Sequence, residues 1–253
     1  IVTLSKYVSD CMDKEGKFRG LGYIIKTTMY CAVPTVLVMM QPDFGTAFVF
    51  ICIMVFIYFI GRISWGYILT AAGGLAGCMP LAYYFVLSDS QRERIDVFIN
   101  PESDLQNSGY NVAQSKIAIG SGQLTGKGFF SEGTLAQLRF VPERHTDFIF
   151  AGIVEGLGFV GGTIIICLFF ALIFRWIYIA MRTKDSFGTC LVVGVAGMFT
   201  AHVFENIGMT IGLMPVTGIP LPFISYGGSN LLTNLIGVGI VENVWMRRQS
   251  KKR

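Results

Sequence analysis

The stretch Phe148 to Phe174 reads FIFAGIVEGLGFVGGTIIICLFFALIF and contains a single charged residue, Glu155. A helix needs about 20 predominantly apolar residues to cross the hydrocarbon core of a bilayer, which is about 30 Å thick. The whole chain is similarly apolar, because 53% of its 253 residues are hydrophobic, 14% are charged and the mean hydropathy is +0.58. Soluble domains carry about 25% charged residues, so this composition excludes an ordinary soluble globular protein.

Five further apolar runs are long enough to span a bilayer. The six predicted spans are Leu21 to Met40, Phe44 to Ile60, Trp65 to Leu87, Phe148 to Phe174, Gly188 to Leu213 and Leu221 to Trp245. Lipid offers backbone groups no hydrogen-bond partners, so each span is expected to be an α-helix. The sequence therefore predicts an all-α, polytopic helical membrane protein with six transmembrane helices and one long extracellular loop.

The distribution of Lys and Arg predicts the orientation in the membrane. Fourteen of the twenty basic residues fall on the side that holds both ends of the chain, and six fall within the one long loop. Cytoplasmic flanks collect basic residues, so both ends of the chain are expected on the cytoplasmic side of the membrane. The predicted divisions are a cytoplasmic segment (1–20), three spans (21–87), the extracellular loop (88–146), three spans (147–246) and a basic tail (247–253). The tail is expected to contact anionic membrane lipids, and no nucleic-acid partner is expected.

The long loop is expected to be a partly ordered cap on the membrane surface. Tyr110, Ala113 and Ile117 recur at spacings of three and four, which is typical of a short helix, and Gly120 and Gly122 end the pattern. Loops of this length are usually functional or disordered, and the helical pattern favours function.

Asp147 follows the run Val141 to Thr146 and directly precedes the first residue of the quoted stretch. One interpretation is a helix cap, because Asp is a preferred N-cap and its charge suits the positive end of a helix. The other is a general base at the lip of a membrane cavity, flanked by Arg144 and His145, that takes a proton from a sugar hydroxyl. The two roles are compatible.

Glu155 lies eight residues after Asp147, about two helical turns away and on the same face. It could line the same cavity, or it could pair with a base or with another helix. Lys127 lies between Gly126 and Gly128, where backbone amides could bind an anion, although glycines that turn a solvated loop explain the pattern equally simply.

Residues 215–230 contain three prolines and three glycines at the entry of the last predicted span. Broken backbone at membrane depth is tolerated only where protein or a water-filled cavity covers it. The segment is therefore either a structural hairpin or a cavity wall to which Ser225, Tyr226 and Ser229 contribute hydroxyl groups.

Several motifs occur together in one order along the chain. They are QPDFGTA from Gln41, NPESD from Asn100, QSKIAIGSG from Gln114, PERHTDFIF from Pro142 and the segment from Pro215 to Ser229. Together they resemble the SEDS family (shape, elongation, division and sporulation) and, within it, the RodA branch more than the FtsW branch. The resemblance covers Gln41 to Trp245, and Asn230 departs from the small residue that the family usually has there.

The resemblance implies a peptidoglycan glycosyltransferase that polymerises lipid II into glycan strands at the outer face of the membrane, for cell elongation and shape. It implies a fold of ten helices, of which this chain, starting at Ile1 with a polar stretch, is expected to hold the last six. It implies that Asp147 is the catalytic acidic residue. The substrate-binding candidates are Asp43, Gln114, Lys116, Arg144, Glu155, Ser225, Tyr226, Gly227 and Gly228.

The implied chemistry needs a base for the attacking hydroxyl and cations for the departing diphosphate. Asp147 is the expected base, and Lys116 with Arg144 the expected counter-charge. Mg²⁺ or Mn²⁺ is compatible with the diphosphate, although no carboxylate or cysteine cluster requires a metal. The reaction is expected to be inverting.

The expected partners are lipid II, the growing glycan strand, a class B penicillin-binding protein and membrane lipids. Two alternatives to the polymerase remain open. The first is a flippase that moves lipid II across the membrane, since broken helices and intramembrane charges also suit transport. The second is a scaffold that recruits the transpeptidase.

Overall fold

The computed structural model describes residues 1–15, 21–41, 43–61, 63, 65–85, 87–100, 108–128 and 146–247. In these ranges every regular element is a helix. The helices are α1 (Val2–Glu15), α2 (Leu21–Met39), α3 (Phe44–Ile60), α4 (Trp65–Phe85), α5 (Asp89–Ile99), α6 (Ser108–Ser121), α7 (Ile149–Arg182), α8 (Ser186–Ile211) and α9 (Gly228–Arg247). The prediction of an all-α, polytopic helical membrane protein is confirmed.

Each predicted span overlaps one helix. Within the described residues, three helices are long and apolar enough to cross a membrane, namely α2 over Gly22–Met39, α7 and α8. Helix α3 is equally apolar but has 17 residues. The spanning of α4 and α9 and the orientation of the chain stay predictions.

Two compact units divide the chain. The first comprises Ile1–Ser88, Ile173–Ala201 and Leu235–Arg253, and the second comprises Asp89–Leu172 and His202–Asn234. Helices α7, α8 and α9 each contribute one part to either unit.

In the first unit, close packing depends on small residues and on a few polar contacts. Helix α2 bonds to α3 through Thr28 and the Tyr58 hydroxyl, whose oxygens are 2.9 Å apart. A Cβ atom at Gly197 of α8 would lie 2.9 Å from the side chain of Phe56, so only glycine allows this approach. Farther along, Trp176 of α7 meets Phe199 of α8 edge to face, with ring centroids 4.7 Å apart.

Two helices were not predicted. Helix α1 lies in the predicted cytoplasmic segment, where Leu4, Val8 and Cys11 are buried at spacings of four and three. This is the pattern of one apolar helix face, so periodicity alone could have indicated it. Helix α5 opens the predicted loop, whereas the helix predicted around Tyr110 is confirmed as α6.

The last span was predicted to begin at Leu221, and this start is wrong. Helix α9 begins at Gly228, and residues 222–226 form turns and bends instead. Pro220 and Pro222 have no backbone N–H group to donate into a helix, and the Ser225 N–H bonds to the Leu221 carbonyl across a turn.

Candidate active site

Asp147 lies two residues before the start of α7 and is half-buried. Its carboxylate faces Gly218, where a Cβ atom would lie 3.5 Å from Oδ2. Gly218 has φ +75°, in the left-handed region that favours glycine. The segment of residues 215–230 therefore passes close to this carboxylate at a residue that has no side chain.

Asn206, in α8, fixes the backbone on both sides of this contact. Its side-chain amide donates to the Asp147 carbonyl at 2.9 Å and to the Ile219 carbonyl at 2.8 Å. Asn206 is completely buried. Sequence reasoning missed it because it weighed only ionisable groups, yet an amide within an apolar span is itself a signal.

Ser225 makes a second connection between the same two segments. Its hydroxyl donates to the Thr146 carbonyl at 2.6 Å and accepts the Leu221 N–H at 2.8 Å. Ser225 is 7% exposed, and its hydroxyl is occupied by these two hydrogen bonds to backbone groups. Tyr226, by contrast, is 81% exposed. Of the hydroxyls predicted to line a cavity wall, that of Ser225 therefore holds two backbone segments together, and the Tyr226 side chain is exposed.

The two glycines after Tyr226 start the last helix. Gly228 is the first residue of α9, and the Gly227 carbonyl accepts the Leu231 N–H at 3.0 Å.

Helix α6 brings Lys116 to the same region. Val112, one turn before Lys116, packs with Phe148 and Val216, and Ser115 donates to the Thr210 carbonyl at 2.7 Å. The end of the Lys116 side chain lies against Gly212, where a Cβ atom would collide with it. Lys116 is exposed and the neighbouring Gln114 is half-buried.

Arg94 of α5 is a second cation at this place. Its guanidinium donates to the Val216 carbonyl at 3.2 Å, and it lines with Lys116 a small cavity of about 20 Å³, enough for one water molecule. Sequence reasoning left Arg94 out. Arg94 lies in the same predicted loop as Lys116 and Arg144, the expected counter-charges, and this position could have marked it as a further candidate.

Glu155 is only 1% exposed and contacts residues at the end of α6 and in the loop after it. Its Oε1 lies 3.7 Å from the Lys127 ammonium and 3.4 Å from the Ser121 hydroxyl. Of the two interpretations of Glu155, the structure shows the pairing with a base.

The same loop is inserted into the hydrogen-bond ladder of α7. In an unbroken helix, the N–H groups of Phe159 and Val160 would bond to the carbonyls of residues 155 and 156. Here those carbonyls accept N–H groups of Lys127 at 3.0 Å and Gly128 at 2.9 Å. Phe159 and Val160 donate instead to the loop carbonyls of residues 123 and 124, at 2.8 and 3.2 Å.

Two glycines make this insertion possible. Gly158 interrupts α7 with φ 73° and ψ −172°, and a Cβ atom there would collide with the loop backbone. Gly126 has φ +79° and touches Gly156 in the same way. The turn interpretation of the loop is therefore confirmed. The anion-binding interpretation is wrong for the Lys127 and Gly128 amides, because both donate to α7.

Asp43 and Arg144 are the remaining predicted site residues. Asp43 belongs to the first unit, where its carboxylate caps α3 by accepting the Thr46 N–H at 3.0 Å and the Thr46 hydroxyl at 2.7 Å. Arg144 lies outside the described residues.

The second unit therefore presents one carboxylate at a helix entrance, fixed through its backbone, with two cations on neighbouring helices. Within the described ranges, no three His, Cys, Asp or Glu side chains are grouped as ligands for a metal. The arrangement suits proton abstraction beside a bound anion.

Replacing Asn206 by leucine is expected to lower the free energy of unfolding by about 2–4 kcal/mol, because two carbonyls lose their donor. The thermal unfolding midpoint of the purified full-length protein in detergent measures this loss. Asn111→Leu, at a half-buried position of α6, is the matched control and is expected to change the midpoint little. Equal midpoints for the two variants would contradict the role given to Asn206.

Fold and site define a multi-pass helical membrane protein with a buttressed carboxylate at the entrance of a spanning helix. The chain belongs to the FtsW/RodA/SpoVE family of cell cycle proteins, whose family model matches residues 1–250.

Curated relatives agree with this family. The peptidoglycan glycosyltransferase MrdB of Escherichia coli K12 is 44% identical over 217 residues, which are 86% of this chain and 58% of MrdB. Stage V sporulation protein E of Bacillus subtilis is 39% identical over 256 residues, covering 96% of this chain and 65% of that protein. The chain thus spans less than two thirds of the length of these relatives.

Solved structures share the fold. A chain from a study of the structural coordination of polymerization and crosslinking by a peptidoglycan synthase complex has a TM-score of 0.79 at 28% identity, covering 99% of this chain and 69% of that one. The Thermus thermophilus rod shape determining protein RodA has a TM-score of 0.65 at 24% identity, covering 98% of this chain and 64% of that one.

Proposed function

We propose that the chain is part of a peptidoglycan glycosyltransferase that polymerises lipid II into glycan strands at the outer face of the bacterial plasma membrane, for cell elongation and shape. The observation that carries the proposal is the Asp147 carboxylate beside Gly218, with its backbone fixed by Asn206. The glycosyltransferase names of relatives such as MrdB support the reaction class.

In the proposed reaction, Asp147 accepts the proton of the attacking sugar 4-hydroxyl. The hydroxyl oxygen then bonds to the anomeric carbon of the donor sugar, and the undecaprenyl diphosphate leaves with the electron pair of the broken bond. A single displacement of this kind inverts the configuration at that carbon. Because the backbone of Asp147 is fixed, the base is held in position before the substrate arrives.

Positive charge beside the base stabilises the departing diphosphate. Lys116 is the proposed cation, because its helix packs through Val112 against Phe148, the residue that follows Asp147. Gln114 on the same helix, Tyr226 and the turn at Gly227 and Gly228 are proposed to contact the substrate. Arg144, Asp43 and Glu155 remain proposed substrate-binding residues on the sequence alone.

A divalent cation such as Mg²⁺ or Mn²⁺ would supply further charge on the diphosphate when bound. The carboxylate oxygens of Asp147 are the ligand type that such cations prefer. The proposed proton transfer itself uses only residues of the chain.

For partners, we propose a class B penicillin-binding protein that crosslinks the new strand. The solved synthase complex joins polymerization with crosslinking, which supports such a partner. Both ends of the chain are proposed to lie in the cytoplasm, as the distribution of basic residues predicts.

A flippase for lipid II is the second candidate. The interruption of α7 at Gly158 favours it, because discontinuous membrane helices are common in transporters. However, the carbonyls and amides at this break are hydrogen-bonded to the loop of residues 123–128, so these backbone groups are not available to coordinate a substrate.

Purified full-length protein given labelled lipid II is expected to form glycan strands that are resolved by gel electrophoresis. The same protein in lipid vesicles, with labelled lipid II on one side, tests transport. Strands without transport support the polymerase. Transport of lipid II without any joined sugars would overturn the proposal in favour of the flippase.

A further inference from the structure

A cavity of about 300 Å³ lies in the first unit, whereas Asp147 belongs to the second. The end of α7, the start of α8 and the end of α9 enclose it. Asp185, Asn243 and Arg247 supply its polar groups, and Leu191, Ile240 and Val244 are among its apolar ones. Cavities of this size hold small ligands or parts of larger ones.

The surroundings of the cavity mark the boundary between membrane and water. The Arg175 guanidinium lies 4.9 Å from the ring centre of Trp245, and that of Arg182 lies 5.1 Å from the ring centre of Tyr178. Aromatic rings and snorkelling basic side chains concentrate at the level of lipid head groups. The cavity is therefore expected to open at the level of the head groups, on the side predicted to be cytoplasmic.

We propose that this cavity binds the head group of a zwitterionic phospholipid with a primary ammonium, namely phosphatidylethanolamine. Asp185 and Arg247 bring opposite charges to one cavity, as a joined ammonium and phosphate require. The Arg247 guanidinium matches phosphate oxygens with parallel N–H donors. The first carbons of the acyl chains cover Leu191, Ile240 and Val244.

The Asp185 carboxylate caps α8, and its Oδ2 accepts the Gly188 N–H at 2.9 Å. A carboxylate offers about four lone-pair sites, so a carboxylate that caps a helix can also accept a hydrogen bond from an ammonium.

Other common head groups complement the cavity less well. A phosphatidylglycerol head group brings a negative charge and no cation, so the Asp185 carboxylate repels it. Phosphatidylcholine carries a cation without N–H groups and cannot donate a hydrogen bond to that carboxylate. The predicted order of affinity is therefore ethanolamine first, with choline and glycerol below it.

Gly188 is the residue that keeps this space open. A Cβ atom there would lie 3.1 Å from the Val244 side chain and 3.4 Å from the Asp185 carboxylate. A side chain at this position would press between the carboxylate and the apolar wall.

Native mass spectrometry of the purified full-length protein tests the proposal with the three lipids, each carrying the same acyl chains. At one collision energy, wild-type protein is expected to retain phosphatidylethanolamine in preference to the other two. Asp185→Asn is expected to lower its retention about tenfold, which corresponds to losing one charged hydrogen bond. Asparagine still caps a helix, so the variant keeps the start of α8. Arg247→Gln is expected to lower the retention of all three lipids.

Glu242→Gln and Arg92→Gln are the matched controls. They make the same charge changes in α9 and α5 without lining the cavity, and their lipid retention is expected to equal that of wild type. A second measurement is the unfolding midpoint, which added phosphatidylethanolamine is expected to raise in wild type more than in Asp185→Asn.

Three results would overturn the proposal. Equal retention of the ethanolamine and choline lipids would show that Asp185 does not bind an ammonium. A preference for phosphatidylglycerol would reveal a simple anion site at Arg247. Retention of none of the three lipids would show that the cavity does not bind a phospholipid head group.

Discussion

The Asp147→Asn variant of the full-length protein is expected to polymerise lipid II at least about 100-fold more slowly than wild type, because general bases typically contribute 10²–10⁴-fold. Asparagine has nearly the shape of aspartate but cannot take up the proton of the sugar hydroxyl. The hydrogen bond from Asn206 reaches the backbone carbonyl of residue 147 and survives the change. Gel analysis of glycan strands over time measures the rate.

The matched control is Asp89→Asn. Asp89 is also an aspartate at the start of a helix of the second unit, and its side chain is fully exposed to solvent. Its substitution is expected to leave strand synthesis unchanged. Binding of labelled lipid II to both variants separates loss of chemistry from loss of substrate. Strand synthesis at the wild-type rate by Asp147→Asn would reduce Asp147 to a structural residue.

Gly158→Ala is expected to cause the largest loss of stability, about 3 kcal/mol or more, since non-glycine residues in this backbone region cost about 1–3 kcal/mol before any collision is counted. The added Cβ atom would also collide with the backbone of Leu124 and Gly126. Relief of this collision favours a continuous α7, in which Phe159 and Val160 bond to the carbonyls of residues 155 and 156. The loop would then lose its acceptors for the Lys127 and Gly128 amides.

Hydrogen exchange of the Lys127 and Gly128 amides reports this displacement directly. Exchange is expected to be much faster in Gly158→Ala than in wild type, together with a lower unfolding midpoint. Gly152→Ala is the control in the same helix. A Cβ atom there meets nothing within 4 Å, so this change should stabilise the helix by up to about 1 kcal/mol. Unchanged protection of both loop amides in Gly158→Ala would contradict the insertion as the cause of the break.

Hydropathy predicted the helical class and the middle of every span, because runs of apolar residues determine where a chain can enter lipid. Hydropathy predicted the first and last residues of the helices less well. Helix α7 continues to Arg182, beyond the predicted Phe174, since arginine and aromatic side chains at a membrane surface are still compatible with helix. Helix α9 starts late, because the missing N–H groups of two prolines outweigh the apolar character of residues 221–227.

The candidate site was predictable in part. Asp147, Lys116 and Ser225 were named from the sequence, and the structure brings the segments that carry them together. The role of Ser225 as a backbone connector was not predictable, because it depends on which carbonyl folds beside it. Asn206 and Arg94 act through distant carbonyls of residues 147, 219 and 216, and sequence spacing contains no information on such partners.

The break in α7 was also hidden from sequence reasoning. Gly156, Gly158, Gly161 and Gly162 together suggest close packing between helices as readily as an interruption. What distinguishes Gly158 is the loop that lies against it, and the loop is recognised only in three dimensions.

The exchange of hydrogen bonds between that loop and α7 also bears on biosynthesis. The loop precedes α7 along the chain, so the ribosome completes residues 123–128 before residues 155–160 emerge. When the nascent helix leaves the translocation machinery, the loop that provides donors and acceptors for residues 155–160 has already been synthesised. The backbone groups at the break can therefore form hydrogen bonds before they enter lipid.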